Sequence, residues 1–108
     1  MLFVKDIEKV ATFYEVHFGL VRIGELEDGY LELDAGGVRL ALHAATWSDG
    51  NKSESPAKIV FECDDVRHAV SEYRKKGLEF SKVFDWKGFA FADTMDPENN
   101  AVQISSRT

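Results

Sequence analysis

The sequence predicts an α+β fold built from two βαβββ modules. Three observations carry that prediction: a helix grammar that occurs twice, strand patterns around each copy, and one polar stretch between them. Asp6 is placed as an N-cap. After it, Ile7, Val10, Ala11, Tyr14 and Phe18 recur at helical spacing, and Gly19 supplies the stop because glycine accepts positive φ without penalty. The grammar returns with Asp64 or Asp65 as cap, Val66, Ala69, Val70 and Tyr73 as the apolar stripe, and Gly77 as the stop.

Strand signals surround both helices. Met1–Val4 provides a stunted first strand. Val21–Leu26, Tyr30–Asp34 and Val38–Ala44 follow, broken by Asp28-Gly29 and Gly36-Gly37, which are hairpin signals. Lys58–Cys63 precedes the second helix, and Glu79–Asp85, Phe89–Thr94 and Ala101–Ser105 follow it. The Ser-, Asp-, Asn- and Gly-rich residues 46–56 read as a linker, so residues 1–108 form one domain with module 1 over 1–45 and module 2 over 57–108.

Period-two alternation assigns faces. Leu40 and Leu42 oppose Arg39, Ala41 and His43. Ile59, Phe61 and Cys63 oppose Lys58, Val60 and Glu62. Leu31 and Leu33 oppose Tyr30, Glu32 and Asp34, and Val102 and Ile104 oppose Ala101, Gln103 and Ser105. The apolar sets bury under the helices, with Phe3, Phe13, Phe18 and Phe61 assigned to that side, whereas Phe84, Phe89 and Phe91 have no assigned phase. The remaining faces are polar and are expected to line an open, barrel-like cup with a helix on each outer face, where a ligand can sit.

Composition narrows the function classes. Thirteen basic residues against nineteen acidic ones give a net charge of −6, which disfavours nucleic acid. No apolar run is long enough for a membrane span, and the acid at Asp6 interrupts what a secretory signal would need, so neither membrane nor export is expected. Cys63, the only cysteine, excludes an internal disulfide and fits a reducing cytoplasm. Placed on the helix-facing side of its strand, it reads as a small hydrophobe rather than a nucleophile. His17 and His68 sit in the helices and are assigned no role. No Ser/His/Asp or Gly-rich phosphate signature is visible, and no catalytic residue is assigned.

Val4-Lys5-Asp6-Ile7 with Phe13-Tyr14 and Phe18-Gly19-Leu20, then Tyr30-Leu31-Glu32-Leu33 with Val38-Arg39-Leu40-Ala41-Leu42, then Trp86-Lys87-Gly88 with Asp96-Pro97-Glu98-Asn99-Asn100 together resemble the vicinal-oxygen-chelate superfamily, the glyoxalase, bleomycin-resistance and extradiol-dioxygenase group. Asn99 stands where the family turn usually has glycine, and asparagine tolerates a left-handed backbone. The resemblance implies a homodimer, with modules paired within one chain or between chains. It also implies, in metal-dependent members, one divalent ion held by four strand positions. The first would precede Met1; the others match Ala41, Lys58 and Gln103. A methyl group and an ammonium are poor replacements for electron donors, so no metal cofactor is expected.

A shifted site of His43, Glu62 and Gln103 is the alternative, suited to Zn, Mn, Ni or Fe and to a glyoxalase-type lyase or a dioxygenase. The plainer reading pairs Lys58 with Glu62 and lets His43 hydrogen-bond locally. Glu32 and Asp34 share a face as an acid–base pair would, though such pairs are usually just hydrated. The leading expectation is metal-independent binding of a small organic molecule, of the drug-sequestration type, by Tyr30, Glu32, Arg39, His43, Trp47, Lys58, Glu62, Trp86 and Gln103. The carboxylates would orient a cationic ligand. A non-catalytic dimer module is the third reading.

Overall fold

The structure, a computed structural model, describes residues 1–45 and 57–107. The chain divides into two compact units, Met1–Ser53 and Glu54–Thr108. The first contains β1 (Leu2–Val4), α1 (Ile7–Phe18), β2 (Val21–Glu27), β3 (Tyr30–Asp34) and β4 (Arg39–Ala44). The second contains β5 (Lys58–Glu62), α2 (Val66–Lys75), β6 (Phe84–Trp86), β7 (Phe89–Met95) and β8 (Ala101–Ser105). Their sheets have the same order, β1-β4-β3-β2 and β5-β8-β7-β6. In each, the strand before the helix pairs parallel with the last strand and the other pairings are antiparallel. This is the βαβββ pattern, twice. The expected linker and Trp47 lie outside the described residues.

In the first unit the Asp6 carboxylate accepts the Lys9 N–H at 3.0 Å, satisfying an amide that the first helical turn leaves without a partner. Gly19 closes α1 in the left-handed region, φ 69°, which lets the Leu20 N–H turn back to the Tyr14 carbonyl. The helix buries Ile7, Val10, Ala11 and Tyr14, and the sheet supplies Leu31, Leu33 and Leu42 to the same core. Arg22 fastens β2 to α1 with paired hydrogen bonds to Glu8 and to Glu15. Asp28 and Gly29 both have positive φ and turn the β2–β3 hairpin. Gly29 is also constrained by space, since a Cβ there would stand 3.1 Å from the Ala44 methyl.

In the second unit Asp65 is the cap, its carboxylate accepting the His68 N–H at 3.1 Å. Gly77 lies just beyond the C-cap Lys76, and the Leu78 N–H returns to the Tyr73 carbonyl. Val66 and Val70 of α2 are buried, as are Ala92, Val102 and Ile104 of the sheet. The turn after β7 is organised by Asp96, which is 4% exposed. Its Oδ1 accepts the Glu98 and Asn100 N–H groups and its Oδ2 accepts the Asn100 amide. Asn99 takes φ 64°, the left-handed conformation expected of it.

Two expectations are corrected. The strand expected over Glu79–Asp85 is only Phe84–Trp86. Residues 79–82 meet β7 through one backbone bond, Ser81 N–H to the Asp93 carbonyl at 2.8 Å, and two side-chain bonds: the Ser81 hydroxyl accepts the Asp93 N–H and the Thr94 hydroxyl donates to the Glu79 carbonyl. Phe3 belongs to the face away from α1, because its register partner in β4 is His43. Val4 is the fully buried residue of that short strand.

Candidate functional site

The chemistry-bearing residues lie on the sheet faces turned away from the helices. In the first unit Tyr30 and His43 are register partners, as are Glu32 and Ala41. The Tyr30 hydroxyl donates to Glu32 Oε2 at 3.1 Å, and Arg39 donates to Glu32 Oε1 at 3.3 Å. The bond to Glu32 raises the Tyr30 phenol above the usual tyrosine range, since losing the proton would break that bond and place two negative charges together. His43 Nδ1 lies 2.8 Å from the Ala44 carbonyl. A carbonyl can only accept, so Nδ1 is the donor in that contact. Phe3 packs at 5.2 Å from the imidazole. Glu32 is held by Tyr30 and Arg39, and Asp34 accepts the Gly36 N–H at 2.8 Å in the next turn.

In the second unit Lys58 and Gln103 converge on one atom. The Lys58 ammonium lies 3.0 Å from Asp93 Oδ1, and the Gln103 amide donates to the same oxygen at 2.9 Å. Register explains this, for Asp93 and Gln103 are cross-strand partners and Lys58 approaches from the far side of β8. The expected pairing of Lys58 with Glu62 is therefore corrected. Four residues of extended chain separate their backbones by roughly 13 Å, and the Lys58 ammonium instead reaches across β8 to Asp93 of β7. Glu62 instead lines a hollow of about 220 Å³ with Val60, Gln103, Ser105 and Arg107.

Beside it lies an aromatic hollow of about 360 Å³, lined by Phe84, Trp86, Phe89, Phe91, Asp85 and Arg107. Phe84 and Phe91 stack with centroids 5.4 Å apart, as their register pairing requires. The phase of Phe84, Phe89 and Phe91 is thus the Gln103 side of the sheet, not the helix side. Trp86 is 58% exposed, an unusual state for so large an apolar surface. Asp85 is held by a two-point contact to Arg67 of α2, which keeps its carboxyl below the usual range.

The metal implied by the resemblance does not fit these donors. Ala41 offers a methyl group, Lys58 an ion-paired ammonium, and Gln103 an amide whose nitrogen is engaged with Asp93. Among the described residues, no three His, Cys, Asp or Glu side chains form a group able to hold a metal ion. Of the alternative trio, Glu62 and Gln103 share the smaller hollow of the second unit, and His43 belongs to the first. Burial, reinforced by Asp64 and Asp65, pushes the Cys63 thiol above its usual range and disfavours a nucleophilic thiolate. No helix of the described residues is long and apolar enough to cross a membrane.

Two residues of this surface escaped sequence reasoning. Asp93 alternates with Phe91 and Met95 on the face it shares with Gln103, so the strand phase of Phe89–Thr94 was the available signal. Arg107 lies past the last strand, where no periodicity reaches.

Comparison with known proteins places these features in a family. Lactoylglutathione lyase from Agrobacterium tumefaciens superposes with a TM-score of 0.79 and 20% identity, covering 96% of this chain and 87% of that one. A virulence protein from Salmonella typhimurium gives 0.76 and 23%, covering 96% and 90%. The fosfomycin resistance protein FosX from Mesorhizobium loti gives 0.72 and 18%, covering 98% and 86%. At these identities the likeness is one of fold. A curated protein of Carboxydothermus hydrogenoformans, one chain of an ATP-dependent helicase/nuclease, is 35% identical over 60 residues, 56% of this chain. The chain spans only 5% of that protein's length, so the match carries no activity across. The family model described as Glyoxalase/Bleomycin resistance protein/Dioxygenase superfamily matches residues 1–104, and with the twofold βαβββ pattern beneath that match, the chain belongs to this superfamily.

Proposed function

We propose that this protein binds a small organic molecule without a metal ion, using the sheet faces opposite the helices. The observation that carries the reading is the Asp93 oxygen shared by Lys58 and Gln103. At two positions that the family resemblance matches to metal ligands, Lys58 and Gln103, this chain has an internal ion pair and hydrogen bond. A dication would have to displace the ammonium or meet it as a like charge. The adjoining aromatic hollow supports an organic ligand, because Trp86 and the three phenylalanines offer flat apolar surface beside polar groups.

The protein is also proposed to act as a homodimer. The edge strands β1 and β5 leave Phe3 46% and Val60 54% exposed, apolar surface that a second copy could cover. Light scattering after gel filtration tests this, and a monomer at micromolar concentration would remove it.

Thermal melts test the main reading. Zn, Mn, Ni or Fe is expected to leave the melting temperature unchanged, and a chelator to have no effect. A matching planar organic compound is expected to raise it by ligand linkage. A chelator-sensitive melt, with a stoichiometric ion in purified protein, would refute the metal-independent reading.

A further inference from the structure

We propose that the aromatic hollow of the second unit takes a planar aromatic anion, with Arg107 as the group that receives its negative charge. The proposal rests on the small-molecule reading above and departs from the cationic ligand that the net charge suggests. Three cations stand on the aromatic walls: Arg107 over Phe89 at 4.7 Å, Lys82 over Phe84 at 5.0 Å and Lys87 over Trp86 at 5.4 Å. None of the three forms an ion pair among the described residues. The carboxylate in the lining, Asp85, is already occupied by Arg67 on the helix side.

Local charge therefore runs opposite to the whole-chain balance of −6. A flat ring can lie against Trp86 and the Phe84–Phe91 stack while its acidic group reaches the guanidinium. Arg107 suits that task because its planar fork makes paired bonds to a carboxylate, and its seat over the Phe89 ring limits the freedom lost on binding. It lines both hollows, so a substituent on the ring could extend toward Gln103 and Ser105. Glu62, in the smaller hollow, does not pair with Arg107 and repels an anion placed too far that way.

Calorimetric titration and tryptophan fluorescence of the full chain with three probes of one shape, 2-naphthoate, 2-naphthalenemethanol and 2-naphthylmethylammonium, test the proposal. Naphthoate is expected to bind about tenfold or more tightly than the alcohol, with the ammonium weakest. The exposed Arg107→Gln variant should fold normally and lose that preference, while Arg107→Lys recovers part of it. Equal or tighter binding of the alcohol or the ammonium, or a preference that survives Arg107→Gln, overturns the anion assignment and leaves small-molecule binding standing. Failure of all three probes to bind counts against both.

Discussion

Lys58 and Asp93 are ion-paired over an intervening strand, ammonium to carboxylate at 3.0 Å, in a sheet whose strand order is β5-β8-β7-β6. Side chains that span β8 this way tie β5 to β7 without a backbone bond between them. Both partners are more than a third exposed, so solvent screens the pair and its coupling is modest. A double-mutant cycle with Lys58→Met and Asp93→Leu is expected to give a coupling of about 0.5–1 kcal/mol in low salt, shrinking in high salt. Urea melts of the four proteins measure it. A coupling that salt does not reduce would mean the pair is not the solvated contact described.

The turn after β7 predicts a larger and less salt-sensitive effect. Asp96 is buried and its carboxylate accepts three hydrogen bonds. Asp96→Ala leaves three donors without partners and is expected to cost about 2–4 kcal/mol. The neighbouring Asn99 has φ 64°, a backbone conformation that glycine adopts freely and β-branched residues resist. Asn99→Gly should therefore stay within about 0.5 kcal/mol of wild type, and Asn99→Val should lose about 1–2 kcal/mol. Chemical denaturation of the three variants checks the ranking.

The left-handed Asn99 was legible because its backbone demand is local, and the same holds for Asp6 and Gly19, while the second cap was legible only as Asp64 or Asp65 and the structure selects Asp65. Each acts within a few residues along the chain, so a single sequence carries the information. The paired modules were legible because those local signals occur twice in the same order. Contacts set by register were not. The Lys58–Asp93 pair depends on which residue of β7 faces which residue of β8, and Phe3 changed sides once its pairing with His43 was known. The shortening of β6 has the same origin, since residues 79–82 meet β7 through a single backbone bond, Ser81 N–H to the Asp93 carbonyl, with the Ser81 and Thr94 hydroxyls beside it. The candidate site was legible as a sheet face and a set of residue types. Its wiring through Asp93 and its flank at Arg107 needed coordinates.

Tyr30 offers a spectroscopic check on the first unit. Its hydroxyl donates to Glu32, and that bond holds the phenol above the ordinary tyrosine range. Glu32→Gln replaces an ionised acceptor with a neutral one and is expected to return the phenol toward its usual titration. Ultraviolet titration of wild type, Glu32→Gln and Tyr30→Phe isolates the contribution of Tyr30 from those of Tyr14 and Tyr73. An unchanged curve in Glu32→Gln would show that the pair is absent in solution.

Arg22 predicts how the first unit responds to acid. Its guanidinium bonds both oxygens of Glu8, at 3.1 and 2.7 Å, and also reaches Glu15. The bond to Arg22 holds the Glu8 carboxyl below its ordinary value, while the contact in turn holds the arginine proton more firmly. Arginine stays charged throughout the accessible range, so the carboxylate is the partner that titrates. With the folded value depressed, the unfolded chain binds more protons than the native one as pH falls into the carboxylate range. Stability from the contact is thus fully present above the unfolded value, near pH 4.5 or a little below, and is lost as pH drops through the folded one. Glu8→Gln is expected to melt below wild type at pH 7, with the gap narrowing as pH falls through the carboxylate range and closing once the folded Glu8 carboxyl is itself protonated. Thermal melts of the two proteins across that range supply the test, and a gap independent of pH would assign the loss to packing of the side chain instead of its charge.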